Sequence, residues 1–454
     1  MPLEFELCPG RVVGGDHPCF IIAEIGQNHQ GDIEIAKKMI KMAKDCGADC
    51  AKFQKSELED KFNRRALERP YTSKHSWGKT YGEHKRHLEF SHDQYEELQK
   101  YAEEVGIFFT ASGMDEMAVE FLHELKVPFF KVGSGDTNNF PYLEKTAKKG
   151  RPMVVSSGMQ SMATMRRVYK TVKEHNQNFA ILQCTSAYPL EAEDVNLRVI
   201  TEYQKEFPDI PIGYSGHESG VSITVAAVAL GAKIIERHVT LDKTWKGSDH
   251  AASLEPSELA ELVRSIRLVE RALGNGVKRM LPCEKPCHDK LGKSVVAKVR
   301  IPKGTVLTAD MLAVKVAEPM GVKAEEIFEL VGKTVMENVE EDESVVPEEA
   351  KAWAKEAPSA TARAPRQHPG HHQARHPPPG SPRRRQAHLG PDLRGDPRRA
   401  QGVPGERDPG CRHLHRARQE EDRHRHGCGV RAQAAGTHPV RLRRLKHPLH
   451  TRQT

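Results

Sequence analysis

Eight short apolar runs in the first 240 residues each end in a polar or charged side chain with a chemical use. In order, the endings are Glu24, Lys52 with Gln54, Thr110 with Ser112, Lys131 with Ser134, Ser156, Thr185, Ser215 with His217, and Glu236 with His238. Period-two alternation puts Lys52 and Gln54 on one face of a strand, and it pairs Ser215 with His217 and Glu236 with His238. Two histidines at adjacent strand ends can share a divalent cation, with carboxylate, water or substrate completing the shell. Such a site suits Mn²⁺, Mg²⁺, Fe²⁺ or Zn²⁺. The competing reading of each histidine is an ordinary hydrogen-bonded barrel residue. Lys52, Lys131 and the hydroxyls of Thr110, Ser134, Ser156 and Ser215 suggest an anion site, phosphate above all. Gly133-Ser134-Gly135 and Ser156-Ser157-Gly158 let backbone N–H groups approach such an anion closely. For Lys131 two alternatives stay open: an ion pair with Glu24 or Asp136, and the Schiff-base lysine of a class I aldolase.

The runs that must position these residues read as strands, separated by segments of helical spacing. They are 20–24, 51–54, 107–110, 129–132, 152–156, 179–185, 210–215 (weakened by Pro211) and 233–238. A helix over 256–273 closes the series. Eight βα units predict an α/β protein built on a (β/α)8 barrel, residues 1–275, with its chemistry at the C-terminal strand ends. A long polar excursion, 56–90, separates the second strand from its helix, and loops of that length are usually functional. Its basic cluster (Arg64, Arg65, Lys74, His75, Lys79, His84 and Lys85) is a candidate site for a substrate phosphate, with Lys74 and Lys79 foremost. After a linker at 276–290, a module over 291–352 reads as short strands and turns, at 294–297, 301–304 and 312–314.

The 454 residues carry a formal charge of +7, unevenly spread. From Ser359 onward stand 20 Arg, one Lys and 7 acidic residues, which leaves a body of 48 basic and 55 acidic groups. A body with net charge −7 lacks general nucleic-acid electrostatics and points to small-molecule partners. The Arg/His/Pro/Gly-rich segment 353–454 predicts disorder. It reads either as an arginine-rich nucleic-acid arm or, with more weight, as a non-native extension such as GC-rich DNA translated in a shifted frame. An RNA-binding protein led by this tail is the reading furthest from an enzyme. No window approaches the about 18 continuous apolar residues of a membrane span. The N-terminus lacks a signal peptide's pattern, and the nine cysteines show no paired framework, which together read as cytoplasmic thiols.

Over residues 1 to about 350 the chain resembles the sialic acid synthases, specifically the animal type. The stretches that carry this are Ile22-Ala23-Glu24-Ile25-Gly26-Gln27-Asn28-His29, Lys52-Phe53-Gln54-Lys55, Phe130-Lys131-Val132-Gly133-Ser134-Gly135-Asp136, Ser156-Ser157-Gly158-Met159, Gln183-Cys184-Thr185-Ser186-Ala187-Tyr188-Pro189, Gly213-Tyr214-Ser215-Gly216-His217 and Glu236-Arg237-His238. The resemblance implies condensation of phosphoenolpyruvate with N-acetylmannosamine 6-phosphate (or mannose 6-phosphate), whereas bacterial members use the free sugar. A related synthase of other 3-deoxy sugar acids is the runner-up. The resemblance also implies a divalent metal, Mn²⁺ or Mg²⁺, on His217 and His238. Phosphoenolpyruvate contacts fall on Lys52, Thr110, Lys131, Ser134, Ser156 and Ser215, and the acidic residues of the site on Glu24 and Glu236. Gln54, Tyr188 and Asp249 match sugar contacts, and Asp136 stands where bacterial relatives often carry glutamate. The C-terminal module looks like the family's antifreeze-like (SAF) domain, which implies a homodimer with this cap near the neighbouring active site. Bacterial relatives tend to contribute an arginine from the cap; here that stretch reads Lys315-Val316-Ala317-Glu318-Pro319.

Overall fold

The computed structural model describes residues 4–346. The tail expected to be disordered lies outside the described residues. An antiparallel hairpin, β1 (Glu4–Cys8) and β2 (Arg11–Gly14), leads into eight parallel strands. These are β3 (Phe20–Gly26), β4 (Cys50–Lys55), β5 (Phe108–Gly113), β6 (Phe130–Val132), β7 (Met153–Ser156), β8 (Phe179–Cys184), β9 (Ile212–Gly216) and β10 (Ile234–His238). They close into a barrel in sequence order, with β10 bonded to β3. Pro211 stands just before β9, where its missing N–H costs nothing, and its carbonyl still accepts from the Ile181 N–H at 3.3 Å.

Alternation sorts each strand into two faces. Ile21, Ala23, Phe53, Phe109, Val155 and Ile181 face outward and pack in one apolar cluster with the surrounding helices. Inward, Phe20, Ile22, Cys50, Phe129, Val154, Leu182 and Ile234 fill the N-terminal half of the barrel, and Leu7, Cys8 and Val13 of the hairpin join them. Four such strand runs are followed, two residues on and on the same inner face, by Glu24, Lys52, Lys131 and Ser156. The apolar plug therefore forms the floor on which the polar groups stand.

The excursion after β4 is more ordered than its polar sequence suggests. It holds short helices at Leu58–Lys61, Arg64–Glu68 and Tyr81–Leu88 before the helix His92–Val105. Thr80 caps the third through its hydroxyl, which accepts from Glu83 N–H, while the Glu83 carboxylate accepts from Thr80 N–H. Tyr81 anchors the segment, edge-on to Phe62 and Tyr71 and beneath the Arg69 guanidinium at 4.1 Å. The linker is helical over Lys285–Leu291. Beyond it, β11 (Lys293–Ala297) pairs antiparallel with β12 (Leu312–Val316) around a small core of Val295, Ile301, Leu307, Leu312, Val322 and Val339. No described helix is long and apolar enough to cross a membrane.

Gly213 on β9 leaves no room for a side chain inside the barrel. A Cβ there would run into the Ile234 carbonyl oxygen and Leu182 Cδ2. Gly213→Val should consequently lower stability by about 1–3 kcal/mol, the usual cost of overpacking. Urea unfolding followed by circular dichroism checks this; an unchanged midpoint would contradict it.

Candidate active site

Four charged groups meet on the apolar floor, each only 2–6% exposed. Strand register sets them side by side, since Glu24 of β3 lies beside Lys52 of β4 and His238 of β10, and Glu236 lies beside Ser215. Lys52 Nζ is 2.6 Å from Glu24 Oε2 and 3.6 Å from Glu236 Oε2, and it donates to Ser112 Oγ at 2.9 Å. Lys131 Nζ lies 3.5 Å from Glu236 Oε1 and donates to Ser156 Oγ at 2.8 Å. Gln54 Nε2 donates to Glu24 Oε1 at 2.9 Å, and the Ser215 hydroxyl donates to Glu236 Oε1 at 3.2 Å.

The two carboxylates are driven apart electrostatically. Burial pushes the Glu24 carboxyl up, Lys52 opposes this, and the Glu236 charge adds to the rise. Burial also acts on Glu236, but there Lys131, Lys52 and the two imidazoles outweigh it and hold the group well below the usual range. Glu236 is thus the more firmly ionised of the two and Glu24 the one with the higher proton affinity. Burial lowers Lys131, whereas Lys52 keeps its charge because Glu236 and Glu24 outweigh its desolvation.

His217 and His238 face one another with ring centres 5.5 Å apart, and Tyr188 packs on both. The His217 Nδ1–H donates to the Thr185 carbonyl at 2.8 Å, which leaves Nε2 with its lone pair available. His238 Nδ1 is buried without a hydrogen-bond partner. Burial holds both rings neutral, His217 at about 4, and neutral imidazole is the ligating form. Asp249 is outside the lining of the cavity above these groups; burial raises its carboxyl, but His238, Ser248 and Lys85 bring it below the usual range. Among the described residues no set of three ligating side chains converges. Two imidazoles with open positions is nevertheless a donor set that fits a divalent cation sharing its shell with water or substrate.

A cavity of about 830 Å³ opens above these groups. It is lined by Glu24, Lys52, Gln54, Lys131, Ser134, Asp136, Ser156, Tyr188, Ser215, His217, Glu236 and His238, so most of the predicted residues share one space. The Ser134 hydroxyl accepts from Gly158 N–H at 3.1 Å, which ties the ends of β6 and β7 together beside it.

The NeuB family model matches residues 39–278, and the SAF domain model matches 292–350. Human N-acetylneuraminate-9-phosphate synthase is 80% identical over 348 residues, covering 77% of this chain and 97% of the human one. The Drosophila melanogaster protein of the same name is 50% identical, covering 75% and 97%. A crystal structure of N-acetylneuraminic acid synthetase from Leptospira borgpetersenii superposes with a TM-score of 0.57 at 31% identity, over 64% of this chain and 96% of that one.

This chain belongs to the NeuB family.

It is accordingly an enzyme, a synthase of the sialic acid type, with a NeuB barrel followed by a SAF domain. Some predicted residues stand apart from the NeuB cavity. Thr110 is fully buried below it, and its hydroxyl donates to the Phe129 carbonyl at 2.8 Å. Ser112, two residues further along β5, is the hydroxyl that reaches Lys52. Lys74 and Lys79 are exposed and outside the lining. Lys61, Asn139, Cys184 and Ser186 line the cavity without having been singled out from sequence. Lys61 sits in a four-residue helix with no periodic signal, so position in the polar excursion was the only hint.

Behind β9 and β10, Arg237 points outward and is fully buried. Its Nη1 lies 3.0 Å from Glu218 Oε1 and donates to Thr224 Oγ1 and the Gly220 carbonyl. Glu218 also accepts from the Tyr214 hydroxyl at 2.8 Å. This network clamps the turn that carries His217 to the strand that carries His238. Arg237→Met would strand the Glu218 charge and should destabilise the fold by about 3–5 kcal/mol. Urea unfolding would show this as a lower midpoint, and adding Glu218→Gln should recover part of it; a loss under 1 kcal/mol would contradict the clamp (about the value of a surface pair).

Proposed function

We propose that this chain condenses phosphoenolpyruvate with N-acetylmannosamine 6-phosphate and water, giving N-acetylneuraminate 9-phosphate and inorganic phosphate. The single observation that supports this most is the cavity itself: two buried ammonium groups, two carboxylates of opposed proton affinity and two neutral imidazoles, in a chain 80% identical to the human synthase. Lys52 and Lys131, with the hydroxyls of Ser134, Ser156 and Ser215, bind and orient phosphoenolpyruvate through charge-assisted hydrogen bonds. Thr110 supports that layer from below. Gln54, Asp136, Tyr188 and Asp249 are proposed to hold the sugar.

His217 Nε2 and the His238 ring are the groups that would hold a divalent cation, Mn²⁺ or Mg²⁺. When bound, that ion supplies Lewis-acid polarisation of the open-chain sugar aldehyde. C3 of phosphoenolpyruvate forms the new bond to the aldehyde carbon as the C=O π bond breaks; the aldehyde oxygen takes up a proton and becomes the product hydroxyl, and positive charge develops at C2. Glu236, ionised and fixed between the lysines, stabilises that charge without rearrangement. Glu24 takes the proton from the water that adds to C2. The resulting hemiketal phosphate breaks its C–O bond as its C2 hydroxyl gives up a proton to the departing group, so phosphate leaves with the bridging oxygen and C2 becomes the ketone.

A homodimer with the cap near the neighbouring site belongs to the same proposal. Exposed Val316, Met320, Phe328 and Met336 on the SAF module support it as apolar surface available for contact. So does a cytoplasmic location, where both phosphorylated substrates are made and retained.

The test is phosphate release from phosphoenolpyruvate with each candidate sugar, with and without EDTA. Release should depend on N-acetylmannosamine 6-phosphate and stop with EDTA. It should fall by roughly 100-fold or more in His217→Ala, the rate equivalent of a few kcal/mol. Full activity in that variant, or indifference to chelator, would remove the metal from the account. Phosphoenolpyruvate labelled with ¹⁸O at the bridge should deliver the label to phosphate.

A further inference from the structure

The cavity contains a third ammonium group that the proposed chemistry does not use. Lys61 lines its mouth together with Met114, Asp136 and Asn139. Lys52 and Lys131 each have a carboxylate within 4 Å, whereas among the described residues no carboxylate lies that close to Lys61. Its Nζ donates to Ser56 Oγ at 3.3 Å, touches Met114 Sδ at 2.8 Å and lies 5.1 Å from the centre of the Phe62 ring. A hydroxyl, a thioether and an aromatic face leave a half-buried cation poorly compensated. Such a group favours an incoming anion, because binding replaces weak partners with strong ones.

The ring order places this cation relative to the reacting centre. Lys61 follows β4 and packs on Met114, which follows β5. In the closed order β10-β3-β4-β5-β6-β7-β8-β9, β5 stands opposite β9, and β9 ends at the turn bearing His217. An acceptor whose aldehyde lies at the two imidazoles would therefore extend its far end across the mouth toward Lys61. The far end of a hexosamine 6-phosphate is its phosphate.

Resting on the function proposed above, we propose that Lys61 is the anchor for the acceptor sugar's phosphate and sets the preference for a phosphorylated over a free sugar. Lys74 and Lys79, exposed and outside the cavity, are not needed for it. The charged and titratable groups facing Lys61 are Lys85 from the helix Tyr81–Leu88, Glu89 just after it, Asp115 after β5 and Asp136 after β6. Burial first, then Lys85, brings the Lys61 ammonium down to about 8, with Asp136, Glu89 and Asp115 opposing. Burial pushes Asp136 up to about 6, against Lys61. The proton on Lys61, and with it affinity for a phosphate dianion, is accordingly lost as pH rises through about 8.

Phosphate release should be measured at saturating phosphoenolpyruvate with N-acetylmannosamine 6-phosphate and with N-acetylmannosamine, for wild type, Lys61→Gln, Lys61→Arg and the double variant Lys74→Gln/Lys79→Gln. The ratio of kcat/KM for phosphorylated over free sugar should fall about 10- to 100-fold in Lys61→Gln, the effect of losing one charge-assisted hydrogen bond. The fall should lie in KM for the phosphorylated sugar. Lys61→Arg should restore the ratio and remove the rise in that KM between pH 7 and 9, and the double variant should keep the wild-type ratio. Equal losses on both sugars, a loss carried by KM for phosphoenolpyruvate, or an unchanged ratio would each overturn the assignment. A wild-type enzyme inactive with every sugar would instead defeat the functional reading. Titration calorimetry of N-acetylmannosamine 6-phosphate on wild type and Lys61→Gln would then still decide the phosphate anchor, equal affinities overturning it.

Discussion

The rest of the site depends on one constraint: four charges are held out of water on a hydrocarbon floor. Moving an isolated ammonium or carboxylate into such a place costs several kcal/mol, and only close, well-directed partners offset it. Lys52, Lys131, Glu24 and Glu236 supply those partners to one another, at separations of 2.6–3.6 Å. Because the strands and the apolar plug fix their positions, the field they create is present before any substrate arrives. That is the condition under which fixed charges stabilise a transition state rather than merely bind a ground state. The same burial makes the two carboxylates unequal, Glu236 beside both lysines and Glu24 beside one. One fold thus obtains a permanent anion and a proton carrier from the same residue type.

Support for the site comes from outside the barrel as much as from within it. Arg237 and Glu218 occupy the space between β9, β10 and the helix Ser222–Ala229, and their hydrogen bonds account for most of their polar atoms. The hairpin β1–β2 closes the opposite end and keeps water from the floor. Flexibility at either place would loosen the side chains of the site.

Much of this was legible in the chain. Apolar runs of four to seven residues, each with a polar terminus, placed all eight strands, because burial on both faces and chemistry at one end leave that pattern. The seven motifs of the family resemblance pointed to residues that the structure gathers in one cavity. What alternation conveys, however, is which face a side chain takes, not its height in the barrel. Thr110 and Ser112 share a face of β5; Thr110 pairs with Lys52 and Ser112 with Gln54 and Lys131, and it is Ser112, the higher of the two, that lines the cavity. The hairpin was missed because neither of its strands is an apolar run that ends in a chemically useful residue. Lys61 was missed because a single turn of helix carries no period, while Lys74 and Lys79 drew notice by charge alone. Charge in a sequence does not report exposure, and exposure separates an ordinary surface lysine from one held inside a cavity with only weak partners.

The central claim, a firmly ionised Glu236 beside a Glu24 of raised proton affinity, is most directly tested by titrating the two carboxyl carbons. Protein labelled with ¹³C at glutamate Cδ would be followed by NMR against pH, with Glu24→Gln and Glu236→Gln identifying the two signals. The signal lost in Glu24→Gln should titrate above the ordinary glutamate range, and the one lost in Glu236→Gln should stay ionised well below it. Two coincident ordinary titrations, or the reverse order, would contradict the account.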